Sequence, residues 1–104
     1  MTELSYSPEV RVLYGRRVLD TAEGVLIGLR HYHPDDAFTE LIDASRRHAV
    51  PVFALASALI DLAAGARPPA DAALPAWSSA QHEWGHLLRA SQGAAGSFAI
   101  AAGR

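Results

Sequence analysis

Apolar residues recur along this chain at helical rather than strand spacing, and short polar or proline-bearing breaks divide them into four segments. Val12, Leu19 and Leu26 fall seven apart, with Gly15, Ala22 and Leu29 as a companion row and Val18 and Val25 alongside, which makes a heptad-like seam on one long helix. Ser7-Pro8-Glu9 marks its start: a hydroxyl N-cap precedes a proline at the first helical position, where the missing N–H costs no hydrogen bond. The pattern carries this helix to about Arg30. Pro34, Asp35 and Asp36 then open a second helix, the carboxylates lying at the positive end of its dipole. Its expected inward stripe is Phe38, Leu41 and Ser45, with Ala37 and Ala44 beside them. Pro51 opens a third helix, where Val52, Leu55, Ala56, Leu59 and Ala63 share a face until Gly65 supplies a left-handed stop.

Three prolines within residues 66–75 predict an extended linker, because each ring fixes its own φ and disfavours helix in the residue before it. A fourth, shorter helix is expected from Ala76 to about Ser91, with Trp77, Trp84 and Leu88 on its packing face. From Gly93 the chain lacks periodicity, and charge until its last residue, so a loose tail is expected, with Phe98 and Ile100 as possible anchors. The predicted fold is therefore all-α: a small three-helix bundle with a long first helix in residues 1–65, a Pro-rich linker in 66–75, and a C-terminal helix with a flexible tail in 76–104.

Composition sharpens this picture. Half of the 104 residues are apolar but alanine dominates them, so the core is modest and association between copies would bury what one copy leaves exposed. The upstream half of the first helix has no evident partner in the chain, and an unsupported amphipathic helix is unstable in water. Dimerisation through Val12, Leu19, Ala22 and Leu26 is the expectation, with the small Gly15 and Ala22 admitting close approach of two backbones. Absence of cysteine excludes disulfides and thiolate metal or redox sites. No apolar run approaches a membrane span, and no basic region precedes an apolar one at the N-terminus, so a cytoplasmic protein without membrane contact is expected. All nine basic residues are arginine and the net charge is −2, so any nucleic-acid surface has to be local. Arg11, Arg16 and Arg17 form one basic group, Arg30, His31 and His33 a second, and Arg46, Arg47 and His48 a third.

In Ala22-Glu23-Gly24-Val25-Leu26, in Asp35-Asp36-Ala37-Phe38 with Leu41 and Ala44, and in Ala54-Leu55-Ala56 with Leu59-Ile60, the chain resembles the ANTAR domain, a bacterial RNA-binding transcription-antitermination module. The resemblance covers a little under half of the residues. It implies a non-enzymatic protein without cofactor, dimeric with itself or with another ANTAR protein, that binds RNA hairpins in leader transcripts and stops a terminator from forming. On this resemblance Arg30, Arg46, Arg47 and His48 supply the RNA contacts, while Ala22, Gly24, Ala37, Phe38, Leu41, Ala44 and Ala56 hold the bundle. Three departures matter. Glu23 stands where the family usually carries lysine, Ile42 where arginine often follows the leucine, and Val50-Pro51-Val52-Phe53-Ala54 replaces a usually polar, often basic stretch. They imply weakened or altered RNA contact, and leave as an alternative a degenerate protein-interaction module in which Ile42 and Phe53 face a protein.

One motif points elsewhere. His82-Glu83-Trp84-Gly85-His86 matches H-E-x-x-H, in which two histidines a helical turn apart hold zinc and the glutamate activates a bound water, so a small zinc-dependent hydrolase is a further alternative. Catalytic zinc needs a third protein ligand, and residues 87–104 contain no His, Asp, Glu or Cys. His31, His33, His48 or an aspartate would have to supply it. The residues by themselves therefore assign no metal site, and His82, Glu83 and His86 read first as one stretch of amphipathic helix.

Overall fold

The computed structural model describes residues 8–102, with side-chain environments from Leu13 to Ser91; Ser7, expected as the first N-cap, and the side chains of Val12, Phe98 and Ile100 lie outside these. Four helices follow in order: α1 (Pro8–Arg30), α2 (Pro34–His48), α3 (Val52–Ala63) and α4 (Leu74–Ala102). No strand occurs among the described residues, so the fold is all-α as the spacing predicts.

The breaks are made by unusual residues. His31, after α1, and Ala49, after α2, adopt left-handed backbone with φ of 58° and 54°, a conformation that normally favours glycine and disfavours other L-residues by about 1–2 kcal/mol. At Ala49 the geometry is secured by two reversed bonds, Ala49 N–H to the Arg46 carbonyl and Val50 N–H to that of Ser45, which satisfy carbonyls a helix end would otherwise leave open. The imidazole of His33 caps α2, its Nδ1 accepting from the Asp35 N–H at 3.1 Å. Gly65 turns left-handed after α3, as expected.

Helix α3 is central, packed between α1 and α4, while α2 lies on α1. Its Leu55, Ala56 and Leu59 are fully buried against Ala22 and Leu26 of α1, Ala37, Leu41 and Ala44 of α2, and Ala80 and Trp84 of α4. Alanine lines the contact on every helix, and Trp84 is the largest fully buried side chain. Both tryptophans pack inward, and α4 is part of the same core as α1 to α3.

Two expectations are corrected. Phe38 is 45% exposed, because the inward stripe of α2 is Ala37, Leu41 and Ala44 and the next position turns away by about 100°. Helix α4 starts at Leu74 and continues past Ser91 to Ala102 where a loose tail was expected. Five alanines lie among residues 94–102, and their helix propensity offsets the cost of Gly93 and Gly96, about 1 kcal/mol each.

A single carboxylate ties these elements together. Glu40 lies three residues after Ala37 and four before Ala44, hence on the inward face of α2, and its side chain is only 17% exposed. It accepts from the Trp84 indole N–H of α4 at 2.6 Å, the Tyr32 hydroxyl of the α1–α2 turn at 2.6 Å, and the Arg30 guanidinium of α1 at 2.9 Å through both Nε and Nη2. Burial would raise the Glu40 carboxyl, but donation from Arg30, Tyr32 and Trp84 outweighs it and holds the group below its ordinary 4.5. The partners respond in kind. Burial and the bond to Glu40 push the Tyr32 phenol well up, and the same carboxylate raises Arg30.

A double-mutant cycle of Trp84→Phe with Glu40→Leu, read by denaturant unfolding, is expected to give a coupling of about 1–3 kcal/mol, the range of a charge-assisted hydrogen bond. Additive losses would show that Trp84 contributes by packing alone. Because the folded carboxyl is lowered, the stabilisation from Glu40 is fully present above the ordinary value and disappears as pH falls through the lower folded one. Acid unfolding followed by near-ultraviolet circular dichroism should therefore begin below about pH 4.5, and Glu40→Leu should remove part of that acid dependence.

Candidate nucleic-acid interface

Two helix ends bring the expected RNA contacts to the surface. Arg30 lies in the last turn of α1, and Arg46, Arg47 and His48 in the last turn of α2, where unsatisfied carbonyls favour cations. The left-handed residues His31 and Ala49 reverse the chain directly after each group.

These four side chains are not equally available. Arg30 is held by Glu40, as described. Arg47 grips Glu83 of α4 through Nη2 at 2.8 Å and Nε at 3.2 Å, and His48 Nε2 lies 2.7 Å from the same carboxylate. Burial would raise the Glu83 carboxyl, yet the bonds from Arg47 and His48 hold it below the ordinary range. Arg46 is exposed and, among the described residues, joins no ion pair. Three of the four residues that the sequence offers as free RNA contacts thus carry an internal carboxylate partner. Arg47 remains about half exposed despite its pairing, so a stronger anion can still reach it.

The same contacts explain the H-E-x-x-H stretch. Its glutamate is taken up by Arg47 and His48, and Trp84 within the motif donates to Glu40. Glu83 is therefore not placed as a general base. The donor atoms that converge belong to His48, His82 and Glu83, all within 4.8 Å of one another, whereas His86 is exposed and outside that group. The rings of His48 and His82 meet edge to face with centroids 5.4 Å apart.

The positions offered for dimerisation divide. Ala22 and Leu26 are fully buried inside the protomer and present no surface to a second copy, a correction that follows from α2 and α3 packing on α1. Leu19 is half-buried, and the Val12 side chain lies outside the described residues. What is exposed instead is Leu13 at 65%, Tyr14 at 64% and Phe53 at 50%. Gly15 serves a contact within the chain: a Cβ there would lie 3.0 Å from Phe53 Cε1, so the missing side chain lets the start of α3 close on α1. Tyr14, Val18 and Phe53 line a shallow groove at this point. Glu23, the first departure from the family pattern, is half-buried. Desolvation, then the charges of Asp20 and Asp35, raise its carboxyl, so this face is acidic.

Sequence reasoning did not single out Glu40 or Tyr32. The signal was present, since a carboxylate spaced three after Ala37 and four before Ala44 falls on an apolar stripe and needs donors there. The role of Glu83 had no local signal, because its partners lie 35 and 36 positions away.

The family model of the ANTAR domain matches residues 11–60, a little under half of the chain, running from the first turn of α1 through α2 and into α3; α4 lies beyond it. No curated protein and no solved structure matches the chain. The spacing of the helices, the alanine-lined core and this match agree: the segment 11–60 belongs to the ANTAR domain family, a family of regulatory RNA-binding domains.

Proposed function

We propose that this protein is an RNA-binding regulator of transcription antitermination that acts as a dimer on hairpins in leader transcripts. The match of α1 to α3 to an RNA-binding family is the observation that carries this reading. The arginine-bearing rim supports it, since Arg30, Arg46, Arg47 and His48 all sit at helix ends next to tight turns. Hairpin loops suit such a rim because A-form stems hide their base edges in a deep groove, whereas loops present unstacked bases and bent phosphates. Arg46 is the residue that meets phosphate first. Arg47 and His48 join it when RNA phosphate displaces the Glu83 carboxylate, and that competition lowers affinity. No bond is made or broken, so the protein works by choosing which RNA fold persists.

A second copy, or another ANTAR protein, covers Leu13 and Tyr14 on the upstream part of α1 and Phe53 at the start of α3. No helix among the described residues is long and apolar enough to cross a membrane, and the reading places the protein with nascent transcripts in the cytoplasm. The competing reading, an interaction module that has lost RNA, draws on the exposed Phe38 and Phe53 and the acidic surroundings of Glu23.

Fluorescence anisotropy with a tandem-hairpin RNA pool of randomised loops, titrated with salt, separates the two. Binding with a negative slope of log affinity against log salt is expected. Arg46→Ala flattens it by about 0.7–0.9, one phosphate's worth, and Glu83→Gln strengthens binding by releasing Arg47. No binding at low salt by either the wild type or Glu83→Gln would contradict the RNA reading.

A further inference from the structure

We propose that His48, His82 and Glu83 form a binding site for one divalent transition-metal ion, with zinc the best fit, linking the end of α2 to α4. Two imidazoles and a carboxylate offer donor atoms that all lie within 4.8 Å of one another. Neutral imidazole nitrogen with carboxylate oxygen is a donor set that zinc accepts, and three protein ligands leave a fourth position for water. Glu83 and His48 are shielded, with side chains 15% and 23% exposed, while His82 is exposed and marks the open side.

The distances lie near those required. Ligand atoms about 2.0–2.2 Å from a tetrahedral ion stand about 3.4 Å from one another. The 2.7 Å contact between His48 Nε2 and Glu83 must open by about 0.7 Å, and the widest separation, at most 4.8 Å, must close by up to about 1.4 Å, which the exposed His82 can take up by side-chain rotation. Arg47 is the group that opposes the ion. Its guanidinium sits on the same carboxylate, and it is half exposed and able to swing away. Metal and guanidinium therefore compete for Glu83.

This site differs from the one that H-E-x-x-H would make. There the two histidines of one helix are the ligands and the glutamate stays free for water activation. Here the second histidine comes from α2, the glutamate is itself a ligand, and His86 takes no part. The ion would act as a cross-link between two helices rather than as a catalyst, and ligand binding to the folded state raises its stability.

The test uses the untagged full chain, stripped of metal, titrated with zinc by calorimetry and with cobalt(II) by visible absorption. One ion per chain, a cobalt band of low-symmetry type and a higher melting temperature with zinc are expected. His48→Gln and His82→Ala each lose the band, His86→Ala keeps it, and Arg47→Ala tightens binding. His82 is exposed, so its replacement leaves far-ultraviolet circular dichroism unchanged and separates ligand loss from unfolding. The proposal is overturned if neither the wild type nor Arg47→Ala binds zinc. It is equally overturned if binding survives His48→Gln and disappears with His86→Ala.

Discussion

A carboxylate on the apolar face of a helix is tolerated only when donors reach it, and the donors that reach Glu40 come from three different parts of the chain. Satisfying this one group fixes the end of α1, the turn after it and the middle of α4 relative to α2. Alanine packing can do little of that work. Each buried alanine removes a small area from water, and a face of alanines slides over another with little change in contact. The hydrogen bonds at Glu40 are directional, so they select one docking of α4 where the alanine faces alone admit several.

A second carboxylate carries the same logic to the surface. Glu83 holds Arg47 and His48 against α4, so the helix beyond the ANTAR-matching segment sets how much positive charge the first three helices display. Two internal acids thus engage three of the four rim groups, Arg30, Arg47 and His48, and a net charge of −2 is compatible with a locally basic edge only to the extent that these pairs open. Fold stability and anion affinity draw on the same groups. On the RNA-binding proposal, a rim that folds α4 down tightly is a rim that binds phosphate weakly.

Helix positions were readable from the chain because their signals are local. Pro8, Pro34 and Pro51 mark the starts, Gly65 the third stop, and spacing of three and four the faces between. What failed was whatever depended on distant partners. The heptad row along α1 predicts a seam for a second copy, yet Ala22 and Leu26 on it are covered by the chain's own α2 and α3, because periodicity reports that a face is apolar and not which helix covers it. The small Gly15 suggests a contact between copies, and Phe53 of the same chain packs on it instead. The H-E-x-x-H spacing suggested chemistry within one helix, while its glutamate and tryptophan each answer a residue on another. Of the candidate site, the place of the cations was legible and their neutralisation was not.

The most direct measurement of the lock at Glu40 is native-state hydrogen exchange at the Trp84 indole N–H, followed by nuclear magnetic resonance beside the core amides of α1 to α3. With that hydrogen held by Glu40 in a side chain of zero exposure, it should exchange only through global unfolding, with the same free energy and denaturant dependence as the slowest amides. Exchange through a smaller opening, in which α4 lifts while the amides of α1 to α3 stay protected, would contradict it.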